Sequence, residues 1–411
     1  MSPRRLRLAA DGRLDAAPLL EEPRLARVLR LLDGAGEETR IVGGAVRNAL
    51  LGLPPGDIDL ATTALPETVL ARARAAKVRA VPTGIDHGTV TLVSGGLPVE
   101  VTTLREDVET DGRHAVVRFG RDFARDAERR DFTVNALSVG RDGRLHDTTG
   151  GVADLAAGRL RFIGDAATRI REDYLRILRF FRFHATYGLG PLDPEGLAAA
   201  VAGAEGLERL SRERVRAETL KLLGAPGAAG VVGTLAGTGL LERVLAGPAD
   251  PARFAALAAD GPVDPVLGLV ALGAREAADV ERLRSVLRLS NAERDRMAAA
   301  LAALAGVPEE PPGAGAIAAM LFDHGAAAAR DALALARAAR PGAGWAEAER
   351  QAAETAAPEM PFSGRDLVAR GLKGPAIGET LARFRDAYRA AGFPSDPARR
   401  AALLEASLPP P

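Results

Sequence analysis

The sequence predicts a mixed α/β unit followed by all-helical segments, and three observations carry that reading. Between Thr39 and about Leu145, short β-type runs alternate with helical stretches. Beyond about Gly158 the strand signal stops and apolar residues recur at helical spacing. The first β-type run ends in two glycines, Gly43 and Gly44, that open a helix.

In chain order the β-type runs are Thr39–Val42, Ile58–Ala61, Gly88–Val93, Val99–Thr102 and Ala115–Phe119. The helical segments of the second part are Leu175–Phe183, Arg212–Leu223, Ala252–Leu272, Glu276–Leu287, Asn291–Leu304, Gly315–Phe322 and Ala326–Ala338. Gly and Pro clusters such as Gly224–Gly227 and Pro308–Gly313 separate them. The Ala-rich stretches Ala298–Ala305 and Gly325–Ala339 keep a Leu spacing that suits close-packed helices.

The chain has 411 residues, 47% hydrophobic and 26% charged, the profile of an ordinary globular protein. It lacks a run of about 18 apolar residues, and its first residues, MSPRRLRLAADGRLD, lack an apolar signal core. The expectation is a cytoplasmic protein with no membrane attachment. There is no cysteine, which excludes disulfides, zinc ribbons and thiol catalysis, and the five histidines form no metal pair. Any metal site must use carboxylates, which favour a hard ion such as Mg²⁺. Basic and acidic residues cancel at 54 each, so only their distribution can argue for nucleic acid.

The strongest local signal is Ile41-Val42-Gly43-Gly44-Ala45-Val46-Arg47-Asn48, followed after a Pro-Pro-Gly turn by Asp57-Ile58-Asp59-Leu60. A strand that runs into two glycines and a helix aims backbone N–H groups at whatever sits above the turn, and a phosphate fits there. In the next strand side chains alternate faces, so Asp57 and Asp59 project together while Ile58 and Leu60 pack inward. Paired carboxylates repel unless a cation lies between them, which suits Mg²⁺ on a triphosphate and hence nucleotidyl transfer. Glu100, between Val99 and Val101, can face the same side of the sheet as a third acid; the alternative is an exposed strand glutamate.

Gly-Gly-x-Val-Arg followed by Asp-x-Asp resembles the head of the polymerase-beta-like nucleotidyltransferases, in particular the class II CCA-adding enzymes and bacterial poly(A) polymerases. Later motifs agree in order. Arg129-Arg130-Asp131-Phe132-Thr133-Val134-Asn135-Ala136 resembles the family's ribose motif, and Asp147-Thr148-Thr149-Gly150-Gly151 its head-to-neck hinge. Glu172-Asp173-Tyr174-Leu175-Arg176 is similar to its E-D-x-x-R nucleotide template, and Ser211 to Glu218 to its E-R-x-x-x-E helix. Ser363 to Leu367 with Gly374-Pro375 resembles its tail. Asn48 departs from the pattern, since the family usually carries Asp there. The resemblance implies an α/β nucleotidyltransferase head (residues 1–157) followed by an all-α neck (158–224), body (225–340) and tRNA-binding tail (341–411).

For the ribose motif, Asp131 and Asn135 together can satisfy two vicinal hydroxyls, with Arg130 beside them; the alternative is a helix start capped by Asp131. Between Arg159 and Phe183 seven Arg face only Asp165, Glu172 and Asp173, a local positive excess that can hold triphosphate or RNA backbone. The resemblance implies that Arg176, Arg179 and Arg182, at three-residue spacing, line the nucleotide pocket. Asp173 and Arg176, as helix neighbours, would form one edge with an acceptor beside a donor. That edge matches the amino group and ring nitrogen of cytosine and adenine and mismatches uracil and guanine.

The expected activity is addition of CCA to the 3′ end of tRNA from CTP and ATP with Mg²⁺, releasing pyrophosphate; no protein partner is implied. Asp57, Asp59 and Glu100 are the expected catalytic acids, with Asp57 and Asp59 on metal. Gly43, Gly44, Arg47, Arg130, Asp131, Asn135, Asp173, Arg176, Arg179 and Arg182 are expected to bind nucleotide. The alternatives are a poly(A) polymerase, a partial CC-adding or A-adding enzyme, the difference resting on a loop between Leu104 and Arg129 that includes Gly112, and an RNA-binding module with a degenerate head.

Overall fold

The computed structural model describes residues 4–15, 17–110, 115–340 and 342–409, so Gly112 lies outside the described residues. The chain divides into two compact units, residues 1–240 and 241–411.

The strands of the first unit are β1 (Thr39–Val42), β2 (Asp59–Thr62), β3 (Arg79–Gly84), β4 (Thr89–Ser94), β5 (Leu97–Thr103), β6 (Arg105–Thr110), β7 (Ala115–Phe119), β8 (Ser138–Gly140) and β9 (Leu145–His146). Seven of them form one sheet in the order β3-β4-β5-β2-β1-β8-β9, and β6 and β7 form a separate ribbon. Only the β2–β5 pair within the seven-stranded sheet is parallel. The alternation of β4, with Val90, Leu92 and Ser94 buried and Thr89, Thr91 and Val93 half-exposed, is the period-two signature of a strand packed on one face. β3, β6, β8 and β9 add to the runs read from the sequence.

Helices α1 (Ala17–Leu20), α2 (Pro23–Leu32), α3 (Gly44–Leu51), α4 (Pro66–Ala75) and α5 (Phe123–Glu128) belong to the sheet-bearing part. α6 (Gly151–Ala157), α7 (Ala166–Glu172), α8 (Leu175–Tyr187), α9 (Pro194–Ala202), α10 (Arg212–Leu223) and α11 (Ala228–Gly237) follow. Phe132, just before a short 3-10 turn at Thr133–Asn135, stacks near Phe162 (ring centroids 4.8 Å apart) and meets Phe183 of α8 at 5.5 Å. Phe162 in turn stacks on Phe180 of α8 at 5.4 Å. This aromatic cluster fixes α8 against the segment that carries Asp131 and Asn135, so head and neck of the sequence reading fall in one compact unit.

The second unit is helical: α12 (Leu240–Leu245), α13 (Pro251–Leu257), α14 (Pro265–Gly273), α15 (Ala277–Leu287), α16 (Asn291–Leu304), α17 (Ala314–Ala339), α18 (Trp345–Glu354), α19 (Gly364–Ala369), α20 (Pro375–Ala390) and α21 (Pro397–Glu405). The single helix expected over Ala252–Leu272 is two. Asp264 accepts from the N–H groups of Val266 and Leu267, and Pro265 stands at the first helical position, so a new helix starts there. The two segments expected on either side of Gly325 are two helices within the α17 range, divided where Gly325 leaves helical geometry (φ 78°, ψ 161°). Trp345, Met320 and Leu333 anchor one core of this unit, and Leu367, Phe384, Tyr388 and Leu404 a second.

Candidate active site

β1 delivers the chain to Gly43, whose φ of +71° is in the left-handed region. A Cβ there would stand 3.0 Å from Arg130 Nη1, so glycine lets that guanidinium lie against the turn. α3 then starts at Gly44 with no side-chain cap, which leaves its first N–H groups for an external acceptor. In the sheet register Val42 lies opposite Asp59, and Asp59 lies opposite Glu100 of β5. The turn and two acids therefore share one end of three adjacent strands. Asp57 falls just before β2 rather than inside it, but the alternation persists: Ile58 and Leu60 are buried while Asp57 and Asp59 are exposed.

The three carboxylates feel one another. Crowding by surrounding protein pushes the Asp59 carboxyl up, Arg130 draws it down, and the Asp57 charge adds to the rise, leaving it above its ordinary value. Glu100 is raised by burial, then by Asp59 and Asp57. Among the described residues no three or more His, Cys, Asp or Glu side chains are gathered as a ready cation cage. Two neighbouring hard carboxylates whose charges oppose each other do fit a divalent ion that takes its remaining ligands from a triphosphate and water.

Arg47 of α3 is buried and pinned on several sides. It donates to Asn135 Oδ1, to Asn48 Oδ1 at 2.9 Å and to the Tyr187 hydroxyl at 2.7 Å, with the Tyr187 ring 3.9 Å from its guanidinium. Burial lowers its pKa from the ordinary value. Asn135 Nδ2 donates to Asp131 Oδ1 at 3.0 Å, and Arg179 Nε donates to Asp131 Oδ2 at 2.8 Å. Burial would raise the Asp131 carboxyl, but Arg179, Asn135 and the Phe132 N–H outweigh it and hold it below the usual carboxylate range. The helix cap considered for Asp131 is absent, because the 3-10 turn that follows has Phe132 at its cap with no side-chain bond. Asp131 is thus largely occupied, whereas Asn135 keeps one N–H and one lone pair.

The positive excess of Arg159 to Phe183 is a property of the sequence rather than of the space around it. Arg159 and Arg161 pair with Asp154, Arg179 with Asp131, and Arg182 with Glu218. Those acids come from outside the segment.

The Asp173–Arg176 edge also differs from the expectation. Asp173 ends α7 in extended conformation (φ −154°, ψ 106°), and α8 begins only at Leu175, so the two residues do not share a helix. Asp173 Oδ2 accepts from Arg214 Nη2 of α10 at 2.6 Å, and its Oδ1 accepts from the Leu175 N–H at 3.1 Å. Arg176 Nη1 instead donates to Glu172 Oε2 at 2.5 Å and to the Arg169 carbonyl at 2.9 Å.

Comparison with known proteins places this arrangement. Residues 39–161 match the model of the Poly A polymerase head domain, and residues 191–249 that of the probable RNA and SrmB-binding site of polymerase A. The chain is 43% identical over 276 residues to CCA tRNA nucleotidyltransferase 1, mitochondrial, of Danio rerio, a match covering 63% of this chain and 61% of that protein. It is 38% identical over 295 residues to the CCA-adding enzyme of Geobacillus thermodenitrificans, covering 69% of this chain and 70% of the other. The crystal structure of the Bacillus stearothermophilus CCA-adding enzyme in complex with CTP superposes with a TM-score of 0.73 at 31% identity, covering 93% of this chain and 97% of that one.

This chain belongs to the CCA-adding enzyme family.

Within this CCA-adding enzyme relative, four side chains of the site carried no role in the sequence reading: Arg214, Glu172, Glu218 and Tyr187. Arg214 and Glu218 stand four apart on α10, one helical face, and reach Asp173, Arg179 and Arg182. That i,i+4 spacing inside the E-R-x-x-x-E motif was the available signal.

Proposed function

We propose that this chain adds CCA to the 3′ end of tRNA, taking CTP and ATP and releasing pyrophosphate, with Mg²⁺ as the ion. The supporting observation is the register that sets Asp59 between Val42, at the foot of the Gly43-Gly44 turn, and Glu100. Family membership gives the substrate class. The matched stretch spans about three-fifths of the length of the Danio rerio relative, so the activity is carried to this chain as a proposal.

In this reading Asp57 and Asp59 hold the ion, and Glu100 stands beside them. When bound, such an ion lowers the pKa of an attacking hydroxyl and neutralises charge on the departing pyrophosphate. The RNA 3′ oxygen forms a bond to the α-phosphorus as the bond to pyrophosphate breaks, and the hydroxyl proton passes to solvent water. Gly43, Gly44, Arg47 and Arg130 cradle the triphosphate. Asn135 offers its free N–H and lone pair to the ribose, and Asp131 keeps it aimed. Asp173 accepts from the base amino group and Arg176 donates to the ring nitrogen, while Arg179 and Arg182 line the pocket.

Poly(A) addition is the second reading, since both family models carry that enzyme's name. The relatives named for CCA addition favour the first. No helix among the described residues is long and apolar enough to cross a membrane. The cytoplasm is the compartment proposed, with the Danio rerio relative named mitochondrial. The test is incorporation of labelled CTP into tRNA that ends at its discriminator base, with and without Mg²⁺. Metal-dependent extension supports the reading, and binding without extension would make the chain an RNA-binding module.

A further inference from the structure

The second unit holds a cavity that no part of the proposed reaction uses. Its volume is about 500 Å³, and residues of α13, α16 and the end of α17 line it together with the turn before α15. Three guanidiniums, those of Arg253, Arg275 and Arg340, meet there with one carboxylate, that of Asp250. The carboxylate is already committed on both oxygens: Oδ2 accepts from Arg275 Nη2 at 2.7 Å, and Oδ1 accepts from the Arg253 main-chain N–H at 3.0 Å as the cap of α13. Arg340 Nη1 donates to the Pro308 carbonyl at 2.7 Å, and its guanidinium lies 5.1 Å from the centre of the Trp345 ring. Arg253 is the least satisfied of the three. Only 9% of it is exposed, its Nη1 reaches the Ala274 carbonyl at a long 3.3 Å, and its Nε has no hydrogen-bond partner among the described residues. Burial, then the charge of Arg275, pulls its pKa below the ordinary value against the draw of Asp250. A guanidinium so placed costs stability unless an anion completes it.

We propose that this cavity is a second anion site, which takes the phosphate of a small phosphate monoester, a nucleoside monophosphate being the simplest fit. Three guanidiniums against one carboxylate leave an excess of two positive charges, and a phosphate monoester carries about −2 at neutral pH. A diester within an RNA strand carries a single charge and has chain on both sides, so it is the poorer match for a group as deep as Arg253. The three free oxygens of a monoester suit the forked donors of guanidinium groups. Leu301 and Leu304 of α16 and Ala338 of α17 add an apolar wall on which the ring of a base can lie. The volume falls within the range of small-molecule pockets, roughly 300–1,000 Å³. Every residue of the cavity belongs to the second compact unit, whereas the residues assigned to the chemistry belong to the first.

Trp345 is the single tryptophan of the chain, so its emission reports on Arg340 and hence on this cavity. The test titrates the whole protein, without Mg²⁺, with AMP, inorganic phosphate, adenosine and a tRNA transcript in turn, and follows that emission. AMP should change it saturably, inorganic phosphate should give the same change only at higher concentration, and adenosine should give none. Arg253→Met should weaken the AMP response about tenfold or more, the loss expected when a hydrogen bond to a charged group is removed. The same variant should keep or raise the thermal midpoint of the free protein, because it removes a buried cation that lacks a full partner. A lower midpoint together with an unchanged AMP response would mark Arg253 as a structural prop and overturn the site. Arg275→Met, on a side chain that is 73% exposed, should also weaken the response, and it carries the comparison if Arg253→Met fails to fold. Arg130→Ala, in the first unit, should leave the emission change intact; its loss there would place the binding outside the cavity and overturn the proposal. No change with AMP, an equal change with adenosine, or a change with tRNA but not with AMP would overturn it as well.

Discussion

Asp59 and Asp131 titrate in opposite directions, and the difference separates their duties. The Asp59 carboxyl is raised by the protein crowded round it and by its neighbour Asp57, against the pull of Arg130, so its ionised form is a burden on the fold in the absence of a cation. Asp59→Asn should therefore keep or raise the thermal midpoint measured without metal, while incorporation falls about 10³-fold or more. Asp57→Ala should lose activity comparably; activity retained in either variant removes the metal-site assignment. Asp131 is held low, so its contribution to stability is present above its unfolded pKa of about 3.9 and is lost as pH falls through the depressed folded value. Wild-type thermal midpoints should drop on the acid side of about pH 4, and Asp131→Asn should flatten that drop. A parallel drop in both proteins would contradict the linkage. Because Asp131 aims Asn135, Asn135→Ala and Asp131→Ala should both weaken discrimination against dCTP and dATP, checked by competing ribo- and deoxynucleotides in one reaction.

At the scale of elements, the segment Asp147 to Gly151 joins strand β9 to helix α6 through one side chain. The Asp147 carboxylate accepts from the N–H groups of Thr149, Gly150, Gly151 and Val152 at 2.9 to 3.1 Å. Gly151 has no room for a side chain: a Cβ would meet the Thr133 carbonyl oxygen at 2.2 Å and Leu137 at 3.0 Å. Gly151→Ala should cost about 1–3 kcal/mol in urea unfolding, the usual cost of overpacking, and an unchanged midpoint would show that the turn relaxes freely. The elements that were legible in the sequence are those whose pattern is local. Arg212–Leu223 and Asn291–Leu304 are helices over the residues that their periodicity marks. β3 and β9 escaped because Arg79–Gly84 mixes polar residues with Pro and Gly, and Leu145–His146 is two residues long. The break at Asp264-Pro265 was written in the sequence as a cap and an N1 proline, but the apolar run on both sides masked it.

At the scale of the molecule, the residues assigned to the chemistry lie in the first compact unit, and the second holds helices joined by loops with no strand among its described residues. The Gly43-Gly44 turn and the Asp57-Asp59 pair could be read from spacing because strand alternation and a turn are local geometry. The partners of Asp173 and of the Arg-rich helix could not: Arg214 lies 41 residues from Asp173, and Glu218 lies 36 from Arg182. Spacing suggested Arg176 as the neighbour of Asp173, and the extended backbone at Asp173 removed that helical adjacency. Under the proposed function the helical second unit would recognise a structured RNA by shape and backbone contacts. In the proposed function, choice of nucleotide is assigned to Asp173 and Arg176 of the first unit. The most direct measurement is to sequence the products formed from tRNA ending at its discriminator base with Mg²⁺ and all four NTPs present. Products should end in CCA and grow no further. Homopolymeric A tails, addition that halts after CC, incorporation of U or G, or tRNA left unextended would each contradict a protein-templated CCA-adding site in this chain.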